Sequence, residues 1–246
     1  MERDEYRKHF ELEETHWWFA GRREILEATV GALNGLPAEV LILDAGCGTG
    51  LNLKIFQRWG ETFGFDVKEE ALRYCRKRKL SRLARADVQR MPYKSQSFDL
   101  IFILDVLSHR AVFSDLEALR SAHHVLKRGG FLLVSDSAFN FLLSRHDHAF
   151  HIQQRYTCEG MRKKLTAAGF EVVKTTYFNF FLFVPIIIFR FWDKLWQGDD
   201  IPVSHLNRVN SGLNRLLYLV FKAEAPFLRK IRFPFGSSLL CVAKKK

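Results

Sequence analysis

The sequence predicts a doubly wound α/β fold with a mostly parallel sheet. Two observations predict it. Short apolar runs alternate with stretches of helical period from about residue 22 to residue 178. Most of these runs lack polar alternation, so helices must cover both faces of the sheet they build.

Apolar residues at Ile25, Leu26, Val30 and Leu33 predict a helix over 22–33, broken by "NGLPAE". "VLILDAG" then reads as a buried strand. "LNLKIFQRWG" reads as a helix with Thr49 as N-cap and Gly60 as its stop. "TFGFDV" is the second strand, "KEEALRYCRKRK" a charged helix, "RLARADV" a short strand and "MPYKSQS" a loop. "FDLIFIL" is again a buried strand. "DLEALRSAHHVLKRGG" is a helix ending at its glycines, and "FLLVSDS" is a strand. "CEGMRKKLTAAGF" and "EVVKTTYF" add one more helix and strand. Beyond Phe180 the alternation stops. "FFLFVPIIIFRFWDKLW" and "LNRLLYLVFKAEAPFLRKI" look helical, and "SSLLCVAKKK" suits a last strand returning antiparallel to the sheet edge. Three regions follow: an N-terminal helical lid over 1–35, a ligand-binding core over 36–178, and a hydrophobic, basic region with the final strand over 179–246.

The net charge is +11 and the pI about 9.6. From Pro202 onward nine basic residues face Glu224 alone, which leaves +8 there. Nucleic acid, anionic lipid and phosphorylated substrates are the partners such charge attracts. The cations are spaced along predicted helices, without an RNA-binding module, which disfavours nucleic acid. Cys47, Cys75, Cys158 and Cys241 are far apart and form no C-x-x-C pair, as expected of a reduced, cytoplasmic protein. "MERDEYRKHF" has no apolar core of a secretion signal. "TTYFNFFLFVPIIIF" holds 15 uncharged residues, fewer than the roughly 20 of a spanning helix. It is either buried or dips into a membrane interface from the cytoplasmic side.

The most informative stretch is "LILDAGCGTG". An apolar strand ends in Asp44, and Gly46, Gly48 and Gly50 alternate into a helix start. Glycines admit a ligand close to the backbone, and the helix start offers free N–H groups. A dinucleotide loop would read G-x-G-x-x-G; this one reads G-x-G-x-G behind an acid.

The stretch resembles the class I S-adenosylmethionine-dependent methyltransferases over roughly Val40 to Thr176. The resemblance implies a seven-stranded Rossmann-like sheet with S-adenosyl-L-methionine as cofactor. It implies that Asp44, Gly46, Cys47, Gly48 and Gly50 face the methionine part. Asp66 would hold the ribose hydroxyls, with Val67 beside it in the cofactor site, Asp87 and Val88 would meet the adenine, and Leu104 in "SFDLIFILDVLSH" would line the methionine end. Outside this core, "HWWFAGRREI" and "LLSRHDHAFHIQQRYT" resemble a group of bacterial methyltransferases with an HxWF…RR start and an Asp…His…Arg-Tyr segment. That resemblance points to Trp18, Arg22, Arg23, His151, Arg155 and Tyr156 as acceptor contacts. Relatives often carry Leu-Glu-His where this chain has Leu107-Ser108-His109.

Methyl transfer needs water excluded and the acceptor in line. "THWWFAGRR" therefore reads as a lid whose aromatics close the site and whose arginines meet an anionic group. The alternative is that Trp17, Trp18 and Phe19 staple a helix to the sheet. An oxygen acceptor usually needs a base; His109 and His151 are the candidates, and position favours His109. His146, His148 and His151 read as polar surface or acceptor contacts rather than a metal site. The expected activity is methyl transfer to a small-molecule or lipid-linked acceptor, with oxygen as the acceptor atom. An RNA methyltransferase and a non-catalytic cofactor-binding scaffold at a membrane are the alternatives.

Overall fold

The computed structural model describes residues 3–144, 147, 150–197 and 209–246. Seven strands form one sheet in the order β3-β2-β1-β4-β5-β7-β6. They are β1 (Val40–Ala45), β2 (Gly60–Asp66), β3 (Leu83–Arg85), β4 (Phe98–Leu104), β5 (Leu126–Ser137), β6 (Glu171–Phe178) and β7 (Ser238–Lys244). The pairings of β1 with β2 and β4, β2 with β3, and β4 with β5 are parallel. β7 runs antiparallel to both β5 and β6. The predicted doubly wound sheet is therefore present, with one reversed strand.

That strand corrects one expectation. β7 lies between β5 and β6 and not at the edge. Its residues Leu239 to Ala243 are all buried, as an interior strand requires. β6 carries exposed Glu171 and Val173 and takes the edge, where one row of backbone groups can meet water.

Period-2 alternation divides the core. Ile42, Leu100 and Phe102 point to one face, and Leu43, Ile101 and Ile103 to the other. The second face is covered by α5 (Asp115–Val125) and α6 (Cys158–Ala167), through Leu119, Ala122, Met161 and Leu165. The first face is covered by α2 (Trp17–Val30), following α1 (Arg3–Leu12), and by two helices from the far end of the chain. These are Ser211–Lys222 and Ala225–Leu228, which bring Phe221, Ala225 and Leu228 to meet Ile25, Leu26 and Val30. Both ends of the chain thus share a core with the central sheet.

Several element ends differ from the sequence reading. α2 begins at Trp17, one turn and more before Arg22, because His16 caps it: the ring Nδ1 accepts from the Trp18 amide at 3.4 Å. The helix after β1, α3, spans only Leu51–Phe56, and its cap is Gly50 in the left-handed region, not Thr49. Gly60 opens β2 instead of closing that helix. The charged helix α4 spans Glu69–Lys77. α5 stops at Val125, and "LKRGG" belongs to β5, where Lys127 reaches back to Asp99 at 2.9 Å. After β6 comes α7 (Phe183–Gln197), and the two C-terminal helices named above are α8 and α9 in chain order.

Candidate functional site

A cleft of about 500 Å³ opens at the C-terminal ends of the parallel strands. This is the end where an open α/β sheet offers loops and helix starts to a ligand. The bend after β1 contributes Gly46, Cys47 and Gly48, the β2 end Asp66 and Val67, and the β3 side Asp87 and Val88. Leu104, His109, Trp18, Arg22, Arg23 and Arg155 line it too. Asp44, Gly50, His151 and Tyr156 are not in its wall. Four strands and both chain ends thus converge on one space.

Asp44 sits directly under the bend. Its carboxylate is buried, and neither oxygen has a hydrogen-bond partner. Burial pushes its pKa up to about 7, against the pull of the Arg22 guanidinium. Buried polar atoms without partners are rare in native proteins and ask for an explanation. The bend above it is built by positive φ at Gly46 (85°) and Gly48 (54°). A Cβ on Gly48 would meet no protein atom within 4 Å. Open space is there for a ligand to approach the backbone.

Asp66 ends β2 with its carboxylate accepting from the Gly48 amide (3.1 Å) and the Lys68 amide (2.9 Å). Burial raises its pKa, and these two amides oppose the rise. Each oxygen keeps a further lone pair. Asp87 is exposed and accepts from the Gln89 amide at 2.8 Å, while Val88 beside it is buried. Val67 is exposed and offers an apolar face to the same part of the cleft. Gly50 does different work from Gly48. It packs against Cys75 and Leu80, and Cys47 lies beneath the bend with its Sγ 3.9 Å from that of Cys75.

The N-terminal segment covers this end of the sheet and is locked down. Arg78 donates to Glu13 (2.7 Å), to Glu14 (2.6 Å) and to the Thr49 carbonyl (3.1 Å), and the Thr49 hydroxyl donates to Glu13. The corner between α1 and α2 is thereby tied to the glycine bend. Arg23 spends its guanidinium on the Glu13 and Glu14 carbonyls of the same corner. Arg22 points inward, pairs with Asp105, and leaves its Nε buried without a partner. Trp18 stacks on Phe178 and Phe221 at centroid distances of 6.2 and 5.3 Å, while Trp17, Trp18 and Phe19 also face the cleft. The aromatic opening of the chain both staples and covers.

The far wall holds the Asp…Arg-Tyr segment. Asp147 is fully buried between Arg155 (2.6 Å) and Arg190 of α7 (3.1 Å). Tyr156 is turned away into the core, donating to the Leu107 carbonyl at 3.0 Å and lying 3.1 Å from Asp115. His151, with φ of 56°, meets His109 edge-on at 5.7 Å. His146 and His148 lie outside the described residues. Among the described residues no group of three or more His, Cys, Asp or Glu could hold a metal ion.

His109, the candidate base, lines the cleft. Its Nδ1 accepts from the Ala111 amide at 3.1 Å, so the neutral ring carries its proton on Nε2. Burial pushes its pKa down to about 4, which keeps the ring neutral near pH 7. Such a ring donates a hydrogen bond and is a weak proton acceptor. Ser108, in the place of the expected acid, is buried, and its amide donates to Asp136 at 3.1 Å. A buried carboxylate therefore stands beside this position, supplied from β5, and burial pushes its pKa up to about 6.

Sequence reasoning missed Asp105, the residue after β4, with φ of 57° and its carboxylate in the cleft wall. An acid closing a buried strand was its signal, the one that singled out Asp44 and Asp66. It missed Asn179 after β6 as well. That side chain is buried with positive φ, donates to Ser237 at 2.7 Å and leaves its carbonyl oxygen without a partner.

Comparison with known proteins gives this site a context. Residues 43–134 match the family model described as a methyltransferase domain. The chain is 28% identical over 197 residues to an uncharacterized protein of Methanocaldococcus jannaschii, covering 77% of this chain and 76% of that one. It is similar in structure to a SAM dependent methyltransferase from Archaeoglobus fulgidus, with a TM-score of 0.61 at 18% identity over 93% of this chain and 94% of the other. An S-adenosylmethionine dependent methyltransferase from Mesorhizobium loti gives 0.60 at 17% identity, over 90% and 98%. From within β1 into β5 the chain thus matches a methyltransferase domain, and S-adenosylmethionine is the cofactor such a domain implies.

Proposed function

We propose that this chain transfers the methyl group of S-adenosylmethionine to an oxygen of a small amphipathic or lipid-linked acceptor. The observation that carries the cofactor assignment is Asp44: a buried carboxylate with both oxygens unmet, under an open glycine bend. The α-ammonium of a methionine group would satisfy it, with Gly48 giving the backbone room. Asp66 accepts from the two ribose hydroxyls through its remaining lone pairs. Val67 and Val88 flank the adenine, and Asp87 accepts from its amino group. When bound, the sulfonium supplies the methyl: its carbon–sulfur bond breaks as the acceptor's oxygen–carbon bond forms, and sulfur keeps the electron pair.

The acceptor side follows from what is left. Trp17, Trp18, Phe19, Phe150, Ile186 and Phe189 make that part of the wall apolar. Arg155 and Arg190 stand in the same wall, both bonded to Asp147. Glu13, Asp66, Asp87, Asp105 and Asp147 already accept hydrogen bonds. His109 donates. This supports an acceptor oxygen that ionises on its own, a carboxylate or an acidic hydroxyl, oriented by His109 and held near the arginines. α1, α2 and α7 line the cleft with the side chains that would shield it from water.

Transfer from methyl-labelled S-adenosylmethionine into cell extract tests this. Label is expected in the organic-soluble fraction and in a form released by alkali, as a methyl ester would be. Label confined to RNA, or to a nitrogen or carbon acceptor, would overturn the acceptor reading.

A further inference from the structure

Helix α7 is apolar on both sides, and the two sides face different surroundings. Ile186 and Phe189 line the cleft. Val184, Ile188, Phe191 and Trp192 stand on the outer side, 57, 60, 66 and 61% exposed. Their spacing of four, three and one places them in a single stripe. A soluble surface rarely shows so continuous an apolar patch unless something covers it.

The stripe lies at the mouth of the cleft. β6 is antiparallel to β7, which is antiparallel to β5, so β6 ends on the same edge as the parallel strands. α7 starts from that end. Against its first turn lies the segment between α9 and β7: Phe235 contacts Phe183 at 5.3 Å and Phe180 at 4.6 Å. Here exposed Phe227 of α9 and exposed Ile231 and Phe235 of this segment alternate with exposed Arg229, Lys230 and Arg232. Glu224, the only acid after Pro202, is buried and accepts from the Phe181 amide at 3.0 Å. No carboxylate of the described C-terminal segment therefore offsets these cations at the surface.

We propose that this face docks on a bilayer of anionic phospholipid. Aromatic and aliphatic side chains interleaved with Arg and Lys match the boundary between acyl chains and negative headgroups. A second copy of the chain fits worse, because a two-fold contact would press the same cations together. No helix among the described residues is long and apolar enough to cross a membrane, so the contact is with one leaflet. Docking here sets the cleft mouth against the lipid, and α7 forms the wall between them. Delivery of a lipid-borne acceptor rests on the proposed function; the docking does not.

Flotation of the full chain with vesicles tests it, in the absence of cofactor. Vesicles of phosphatidylcholine alone are compared with vesicles holding roughly a third phosphatidylglycerol, whose surface potential attracts cations. The wild type is expected to float with the anionic vesicles only, and less so in high salt. Ile188→Asp with Phe191→Asp, and separately Arg229→Glu with Lys230→Glu, should each lower the partition about tenfold or more. All four side chains are exposed, so melting temperature and S-adenosylmethionine binding should not move. The proposal is overturned if the wild type does not float, or if both variants float like it. It is also overturned if the face instead mediates dimers or salt-sensitive RNA binding with lipid ignored. Those results leave the labelled-transfer experiment free to succeed or fail on its own.

Discussion

Gly48→Ala is expected to lower S-adenosylmethionine affinity about a hundredfold, or ~2.7 kcal/mol, while the protein stays folded. The reason is where the new methyl goes. Gly48 has φ of 54°, and a Cβ there projects into space empty of protein atoms within 4 Å. The folded state bears only the strain of a left-handed alanine, about 1–2 kcal/mol. The ligand loses its closest approach to the bend. Gly50→Ala should behave in the opposite way. Its Cβ would lie 2.8 Å from both Cys75 Sγ and Leu80 Cδ1, at φ of 84°. Overpacking adds ~1–3 kcal/mol to the strain. Thermal melts should show the larger loss for Gly50→Ala, and titrations the larger loss for Gly48→Ala. Equal behaviour of the two would remove the distinction between a glycine kept for the ligand and one kept for packing.

Asp147→Ala is expected to destabilise the fold by about 3–5 kcal/mol. Asp147 is fully buried and holds Arg155 and Arg190, one on each carboxylate oxygen. The Arg155 side chain is almost completely buried, with its Nε already unpartnered and only the Ala138 carbonyl as its other acceptor. Removing the carboxylate leaves a buried guanidinium without its counter-charge, which costs far more than the pair itself contributes. Asp147→Asn keeps one acceptor oxygen and should fall between wild type and alanine. Urea unfolding followed by circular dichroism measures both. An Asp147→Ala protein as stable as wild type would mean the two arginines are compensated elsewhere.

Much of the fold was legible because its signals are local. Apolar runs without alternation mark strands covered on both sides, and Asp44 and Asp66 stand where buried strands end. The position of β7 was harder to read. "LLCVA" is more apolar than "EVVKTTYF", which is the pattern of an interior strand beside an edge strand, but strand order is a long-range property. Glu13 with Arg78 illustrates the same limit: 65 residues separate them, and nothing local to either announces the pair. Thr49 looked like an N-cap because its type and place suit one. The structure uses its hydroxyl to hold Glu13 and leaves the turn to the positive φ of Gly50. The behaviour of His109 depends on one amide, that of Ala111, and residue type alone does not reveal which ring nitrogen is free.

Calorimetric titration of S-adenosylmethionine into the wild type and into Asp66→Ala tests the central claim most directly. Binding with one-to-one stoichiometry is predicted for the wild type. In Asp66→Ala it should weaken about a hundredfold or more, since hydrogen bonds to a charged group contribute ~1.5–3 kcal/mol each. A folded wild type that takes up no S-adenosylmethionine, with or without anionic vesicles, would contradict the cofactor site. Asp66→Ala binding as tightly as wild type would contradict the role given to that carboxylate.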